Sequence, residues 1–510
     1  MTNIASPEMI AATWVLLGIY VTITLFFVVR GALKIQNISD YAVGNIAFSP
    51  IAVGLAMAAS MTSAATFIIN PGFIAFYGIS AYFSYGVALP VASAVSLILL
   101  TKSFRKHGSN VKALTMAQWM GTRYKSNGYS LFFAFLSLLL ITFIVLICVG
   151  LTKVLSKSLD ISELYILIGI VVFIFGYMMF GGANSMVYTN TVQAIIMLIV
   201  AFILLGSGYE HFSNGVHGFL EKLKSIDTKL IQTTNESSFL FRDYFEIIFT
   251  QIVIGIAIVC QPHIITKSLL LKNDKDVNRY LTFGVITQMI FFSVVFAGLY
   301  ARITFPDLTV NDLPLKLDGV ISAYVIKEFP VFVGLIVVLG LISAGISTLE
   351  GLIQAIATTI TADIIKPLFG KYLPKDEDKK TKRMILINKI VIVVLAILSI
   401  LITYEQLVHP KLSVGIFAQN GVYAYFSAAF IPILFGLFVK NVPKIIPILS
   451  SAAAIIVHFT FYYGQLSVPF TNATGENPGV AGAMAILSSI IVGVITYTIT
   501  MRKKDVQLSN

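Results

Sequence analysis

The chain has 510 residues, of which 57% are hydrophobic and 12% charged, about half the roughly 25% charged share of an ordinary soluble domain. That balance excludes a soluble enzyme or a nucleic-acid-binding module and predicts an all-α polytopic membrane protein. Segments of about 20 apolar residues recur, long enough to cross a hydrocarbon core of roughly 30 Å, while the two-residue alternation of a barrel is absent.

In chain order, about 13 spans are predicted: 9–30, 46–75, 78–101, 129–152, 161–181, 187–208, 243–263, 278–302, 331–365, 384–405, 415–439, 442–463 and 478–500. The first follows MTNIASPE, which lacks the basic n-region of a cleavable signal, so 9–30 is expected to remain as a helix. The whole chain, 1–510, reads as one transmembrane domain. GVHGFLEKLKSI, in the polar stretch 209–242, has the pattern of an amphipathic helix on the outer surface.

Basic residues orient the spans. With the N-terminus outside and the C-terminus cytoplasmic, the inner loops hold roughly 24 of the 35 Lys and Arg, as the positive-inside rule requires. These include Arg30, Lys34, Lys102, Arg105, Lys106, Lys112, Lys267, Lys272, Lys275 and the tail Arg502, Lys503 and Lys504. The net charge of +11 is mostly this bias. Glu246, Lys389 and Glu405 lie near span ends, where snorkelling to the interface accounts for them. Cys148 and Cys260 fall inside spans, with neither a disulfide framework nor zinc spacing. The sequons at Asn235 and Asn472 are read as chance.

The second and seventh spans each carry a helix breaker. AASMTSAATFIINPGF leads to Pro71 and Gly72, and GIAIVCQPHIITK contains Pro262. Proline lacks an N–H and clashes with the carbonyl one turn back, so each helix is expected to release carbonyls near its proline. Paired interrupted helices at corresponding places mark transporters built from inverted repeats. The ninth span holds AGISTLEG. Its hydroxyls Ser347 and Thr348, with the carbonyl of Ala344 one turn earlier, are oxygens of the kind a hard cation prefers. The carbonyls of Ala59 and Thr62 on the second span are the candidate facing partners. The alternative, hydroxyls that simply bond the carbonyl one turn back or a neighbouring helix, stays open.

AxxST in the ninth span, SAATF followed by PG in the second, FGGxxSxxYTNTVQ across Phe180 to Gln193, and QPHI at Gln261 to Ile264 together resemble the sodium/solute symporter family. They are most similar to its proline, pantothenate and short-chain monocarboxylate permease branches. The resemblance implies a leucine-transporter-like fold: a preceding helix (9–30), inverted repeats at 46–208 and 243–439, and two following helices (442–500). It implies no enzyme and no cofactor beyond Na+ as coupling ion, with a sodium site at Ala59, Thr62, Ala344, Ser347 and Thr348. It places a small solute near Ala65, Thr66 and Asn70 on one side and Gln261 and His263 on the other.

The chain departs from the family pattern at two positions. Asn190 stands where many members have Asp, and Glu350 where members with a second sodium site have Ser. Glu350 lies one turn from Ser347 and only about 60° away around the helix, so the missing carboxylate is read as relocated. Asn190, Ser347 and Glu350 form a candidate second cation or proton site. Three readings of Glu350 stay open: balancing a second cation, carrying a proton, or a structural interior acid. The function implied is sodium-coupled symport of a small organic solute (carboxylate, amino acid or vitamin-like) across the cell membrane by alternating access. The alternatives are a proton-coupled symporter using Glu350, a sodium-coupled sugar transporter, or a transporter-fold sensor or channel.

Overall fold

The computed structural model describes residues 7–44, 46–111, 113–271, 273–310, 312–410 and 413–509. Lys112 and Lys272, counted among the inner-loop cations, lie outside the described residues, as do the side chains of Lys106, Arg502, Lys503 and Lys504.

Helices dominate, and their starts follow local chemistry. The first, α1, is Pro7–Ala32. The second, α2, has two halves, Pro50–Met61 and Ala65–Tyr77; Ser49 accepts from the Ala52 amide at 3.2 Å and Pro50 opens the helix, the position where a missing N–H costs nothing. Then come α3 (Ile79–Arg105) and α4 (Asn127–Leu159), the latter capped by Ser126 on the Tyr129 amide at 3.3 Å.

The run Glu163–Gly206 is continuous but kinked at Gly182. At 1.5 Å per residue it would extend about 66 Å, twice a hydrocarbon core, so it comprises two spans, α5 (163–181) and α6 (183–206). Gly182 has φ +56°, and a Cβ there would lie 2.8 Å from the Tyr41 ring and 2.9 Å from its carbonyl. Only glycine fits that conformation and that approach.

Continuing, α7 is again in two halves, Phe245–Ile258 and Pro262–Leu270, followed by α8 (Asp274–Thr304), α9 (Val331–Tyr372), α10 (Glu377–Val408), α11 (Val414–Phe438), α12 (Ile445–Gly464) and α13 (Pro478–Met501). Among the described residues, length and composition give 10 candidate spans, or 12 with each bent pair as one; dividing the run at Gly182 brings the number to the 13 expected. This is a multi-pass membrane protein. Helices α9 and α11 are mostly buried, whereas α1, α10 and α12 turn apolar side chains such as Val393, Ile397 and Leu401 outward, as lipid contact requires.

The two bends measure 55° in α2 and 58° in α7. In α7 the break falls where expected, with Pro262 opening the second half. In α2 it does not: the helix stops at Met61 and resumes at Ala65, ahead of Pro71. Thr62 leaves the helical conformation (φ −103°, ψ 81°), and a wide turn over Ala65–Ile69 precedes the proline, so Pro71 enters a backbone already loosened there. Pro71 and Gly72 serve close packing instead. A Cβ on Gly72 would lie 2.0 Å from the Leu317 carbonyl, and one on Gly298 would lie 2.1 Å from that of Pro71.

Outside the spans, Gly215–Ile226 is the expected amphipathic helix, but it buries Phe219 and Leu223 with Phe219 stacked on Phe212 and Phe296. Phe219 and Leu223 on its apolar face are therefore covered by protein, while Val216 stays exposed. Asn235 is buried, its side chain accepting from the Ser237 amide at 3.1 Å. Glu246 corrects the snorkelling expectation: it is fully buried, held by Arg242 at 2.7 Å and Asn477 at 3.2 Å.

Candidate functional site

The first half of α2 packs along α9, and four of the five candidate sodium ligands meet there. Ser347 Oγ donates to the carbonyls of Ala59 (2.9 Å) and Ala344 (3.1 Å). Thr348 Oγ1 lies 3.0 Å from the Ser60 carbonyl, 3.5 Å from that of Ala59 and 3.4 Å from that of Ala344. All of these residues are fully buried. The hydroxyls thus bond both the carbonyl one turn back and the facing helix, and with their protons turned away the hydroxyl oxygens join these carbonyls as a donor set of the kind a hard cation prefers. Thr62 is buried beside them, but its hydroxyl bonds the Ala58 carbonyl at 2.8 Å, and its non-helical ψ takes its own carbonyl out of the helix direction.

One turn along α9, Glu350 is fully buried and far from bare. It accepts from the Tyr177 hydroxyl, from Thr189 Oγ1 at 2.7 Å, and from the Asn190 amide nitrogen at 2.9 Å. The amide's orientation follows from its surroundings. Its oxygen faces Lys267 Nζ and Ser60 Oγ, each at 3.1 Å, and its nitrogen faces Glu350 and Gln193 Oε1, the latter at 2.8 Å. The reverse would aim an N–H at an ammonium and an oxygen at a carboxylate. Gln193 in turn donates to the Tyr20 hydroxyl at 2.8 Å, tying the cluster to α1. Asn190, Ser347 and Glu350 are therefore neighbours, as expected. Ser60 Oγ links them, lying 3.1 Å from the Ser347 carbonyl.

Sequence reasoning missed Lys267. It was counted as an inner-loop cation, yet it is 2% exposed, because the second half of α7 bends under the bundle. Thr189 and Gln193 carried a usable signal: their i, i+4 spacing places both on one face of α6, flanking the single position, Asn190, assigned from that motif.

Beyond the break in α2 lies a cavity of about 70 Å³. Ala65, Thr66, Asn70 and Gln261 line it, joined by Ser63, Tyr85, Gln419 and Tyr423. His263, the fifth residue expected to contact solute, is not in the lining. Its side chain packs where a Cβ on Gly351 would lie 3.4 Å away and tilts against Phe143 with ring centroids 6.3 Å apart. The break at Val259–Gln261 turns Gln261 toward the cavity and His263 toward α9. Among the described residues the lining contains no Lys, Arg, Asp or Glu, so these groups offer hydrogen bonds without a fixed charge.

The family model described as sodium:solute symporter family matches residues 41–444. Among curated proteins, the chain is 26% identical to the sodium/pantothenate symporter of Escherichia coli, over 89% of this chain and 90% of that protein. It is also 26% identical to that of Haemophilus influenzae, over 76% and 78%, and 22% identical to sodium/proline symporter 2 of Staphylococcus saprophyticus, over 85% and 82%. Among solved structures, a Na+-coupled sialic acid symporter in a substrate-bound outward-open state superposes with a TM-score of 0.77 at 17% identity, covering 96% of this chain and 97% of that one. The nucleobase-cation-symport-1 family transporter Mhp1 follows with a TM-score of 0.51 at 15% identity, over 90% and 94%. These superpositions show the shared fold, the leucine-transporter-like arrangement.

Proposed function

Because the chain belongs to the sodium:solute symporter family, we propose that it is a secondary active transporter that couples inward sodium movement to uptake of a small organic solute across the cell membrane, its N-terminus outside and its C-terminus cytoplasmic. The observation that carries this reading is the buried oxygen cluster between the broken α2 and α9, in which Ser347 and Thr348 meet the Ala59 and Ala344 carbonyls. The repeats are taken as 46–208 and 243–439, each opening on one of the two bent helices.

Coupling follows from the position of the cluster. A sodium ion held by oxygens of both α2 and α9 favours the state in which they are close. The second half of α2 carries Thr66 and Asn70 into the solute cavity, so the same state completes the solute site, and solute and sodium each stabilise what the other needs. The neutral hydrogen-bonding groups of the cavity suit a carboxylate, amino acid or vitamin-like molecule whose charge is balanced internally or by the sodium. The pantothenate and proline named for the relatives are the first to try. The test is thermal stabilisation of the purified protein by a panel of such solutes in sodium chloride and in choline chloride. Stabilisation by at least one solute in sodium only is expected; solutes acting equally in both salts would remove the sodium coupling.

A further inference from the structure

We propose that Lys267 is a tethered internal cation that balances Glu350 through the Asn190 amide, so that the protein binds one sodium ion where a carboxylate at this depth would otherwise recruit a second. The inference rests on the sodium-symport reading and deepens it. A buried carboxylate must be compensated, and three of the groups touching Glu350, from Tyr177, Thr189 and Asn190, are neutral. The compensating charge stands one residue further away. Lys267 Nζ lies 3.1 Å from the Asn190 oxygen, and the nitrogen of the same amide lies 2.9 Å from Glu350 Oε2. An amide polarised at both ends transmits charge to charge. Among the described residues neither Lys267 nor Glu350 forms a direct ion pair.

The array is also placed to control sodium. Ser60 Oγ touches both Asn190 and the Ser347 carbonyl at 3.1 Å, so two hydrogen-bonded residues, Asn190 and Ser60, join the ammonium to the oxygen cluster, and the ammonium opposes a further cation beside Glu350. Lys267 rides on the second half of α7, Asn190 on α6 and Glu350 on α9, so moving α7 or α9 alone separates the charges, and moving α6 alone withdraws the amide between them.

Equilibrium binding of radioactive sodium to the purified full-length chain tests this, alongside thermal stability in choline chloride. One sodium per chain is expected for the wild type, two for Lys267→Met, and one again for Lys267→Met/Glu350→Gln. Two ions on the wild type, or one on a folded Lys267→Met, would overturn the proposal. If Lys267→Met does not fold, the double variant still decides: recovery of stability toward the wild type is expected when both charges leave together, and a double variant no more stable than the single one overturns the pairing. A wild type that binds no sodium removes the symport reading instead, and the stability comparison, which needs no sodium, still judges the pairing.

Discussion

Asn190 donates its amide N–H to Glu350 Oε2 at 2.9 Å while presenting its oxygen to Lys267 at 3.1 Å. Asn190 is thus the bridge between Lys267 and the carboxylate that lies one turn along α9 from Ser347. Asn190→Leu keeps the branched outline of the side chain and removes these two bonds together with those to Ser60 and Gln193. Losing hydrogen bonds to charged buried groups costs about 1.5–3 kcal/mol each, so a clear fall in melting temperature is expected in detergent, larger than that of Asn190→Gln. An Asn190→Leu protein as stable as the wild type would mean that the bridge contributes nothing.

Ser347→Ala and Thr348→Val each delete one hydroxyl from the oxygen cluster and leave the carbonyls in place. A rise of about tenfold in half-saturating sodium, ~1.4 kcal/mol, is expected for each, with solute binding retained once sodium is raised to saturation. Sodium titrations of intrinsic fluorescence or uptake read this directly, and unchanged titrations in both variants contradict the site.

Asn70, which lines the proposed solute cavity, and His263, which does not, distinguish that cavity from its surroundings. Asn70→Ala removes a lining amide and is expected to weaken solute affinity about tenfold (~1.4 kcal/mol). His263→Asn, outside the lining, is expected to stay within about twofold (~0.4 kcal/mol). The reverse ranking in a solute-binding assay would move the site toward α9.

Gly72 is required by packing. Gly72→Ala would place a methyl 2.0 Å from the Leu317 carbonyl, and overpacking against backbone costs about 1–3 kcal/mol or more. Gly169→Ala, with nothing within 4 Å, is the matched control. Equal thermal stability of the two variants would show that α2 and the Leu317 backbone separate freely.

Much of this architecture is legible in the sequence because lipid imposes a length and a composition on every span. The expected 331–365 and 415–439 correspond to Val331–Tyr372 and Val414–Phe438 for that reason. Pro262 marked its break because a proline opening a helix is a local event. Pro71 misled because the break in α2 comes from Thr62 and its small neighbours, which loosen the backbone before the proline is reached. Lys267 and Glu246 were illegible for a different reason. Both sit near span ends, where a charge ordinarily reaches water; whether it does is decided by a partner far away in sequence, Asn190 for Lys267 and Asn477 for Glu246, the latter acting with the local partner Arg242 four residues earlier. The second half of α7, bent by 58°, carries Lys267 inward, and no periodicity in a linear sequence encodes that bend.

The most direct measurement of the central claim is solute uptake by proteoliposomes under an inward sodium gradient, with the solute chosen from the stabilisation panel and a matched choline gradient as control. Accumulation above the external concentration, abolished in choline and by collapse of the sodium gradient, is the expected result. Uptake that merely equilibrates, or that accumulates equally without sodium, would contradict it.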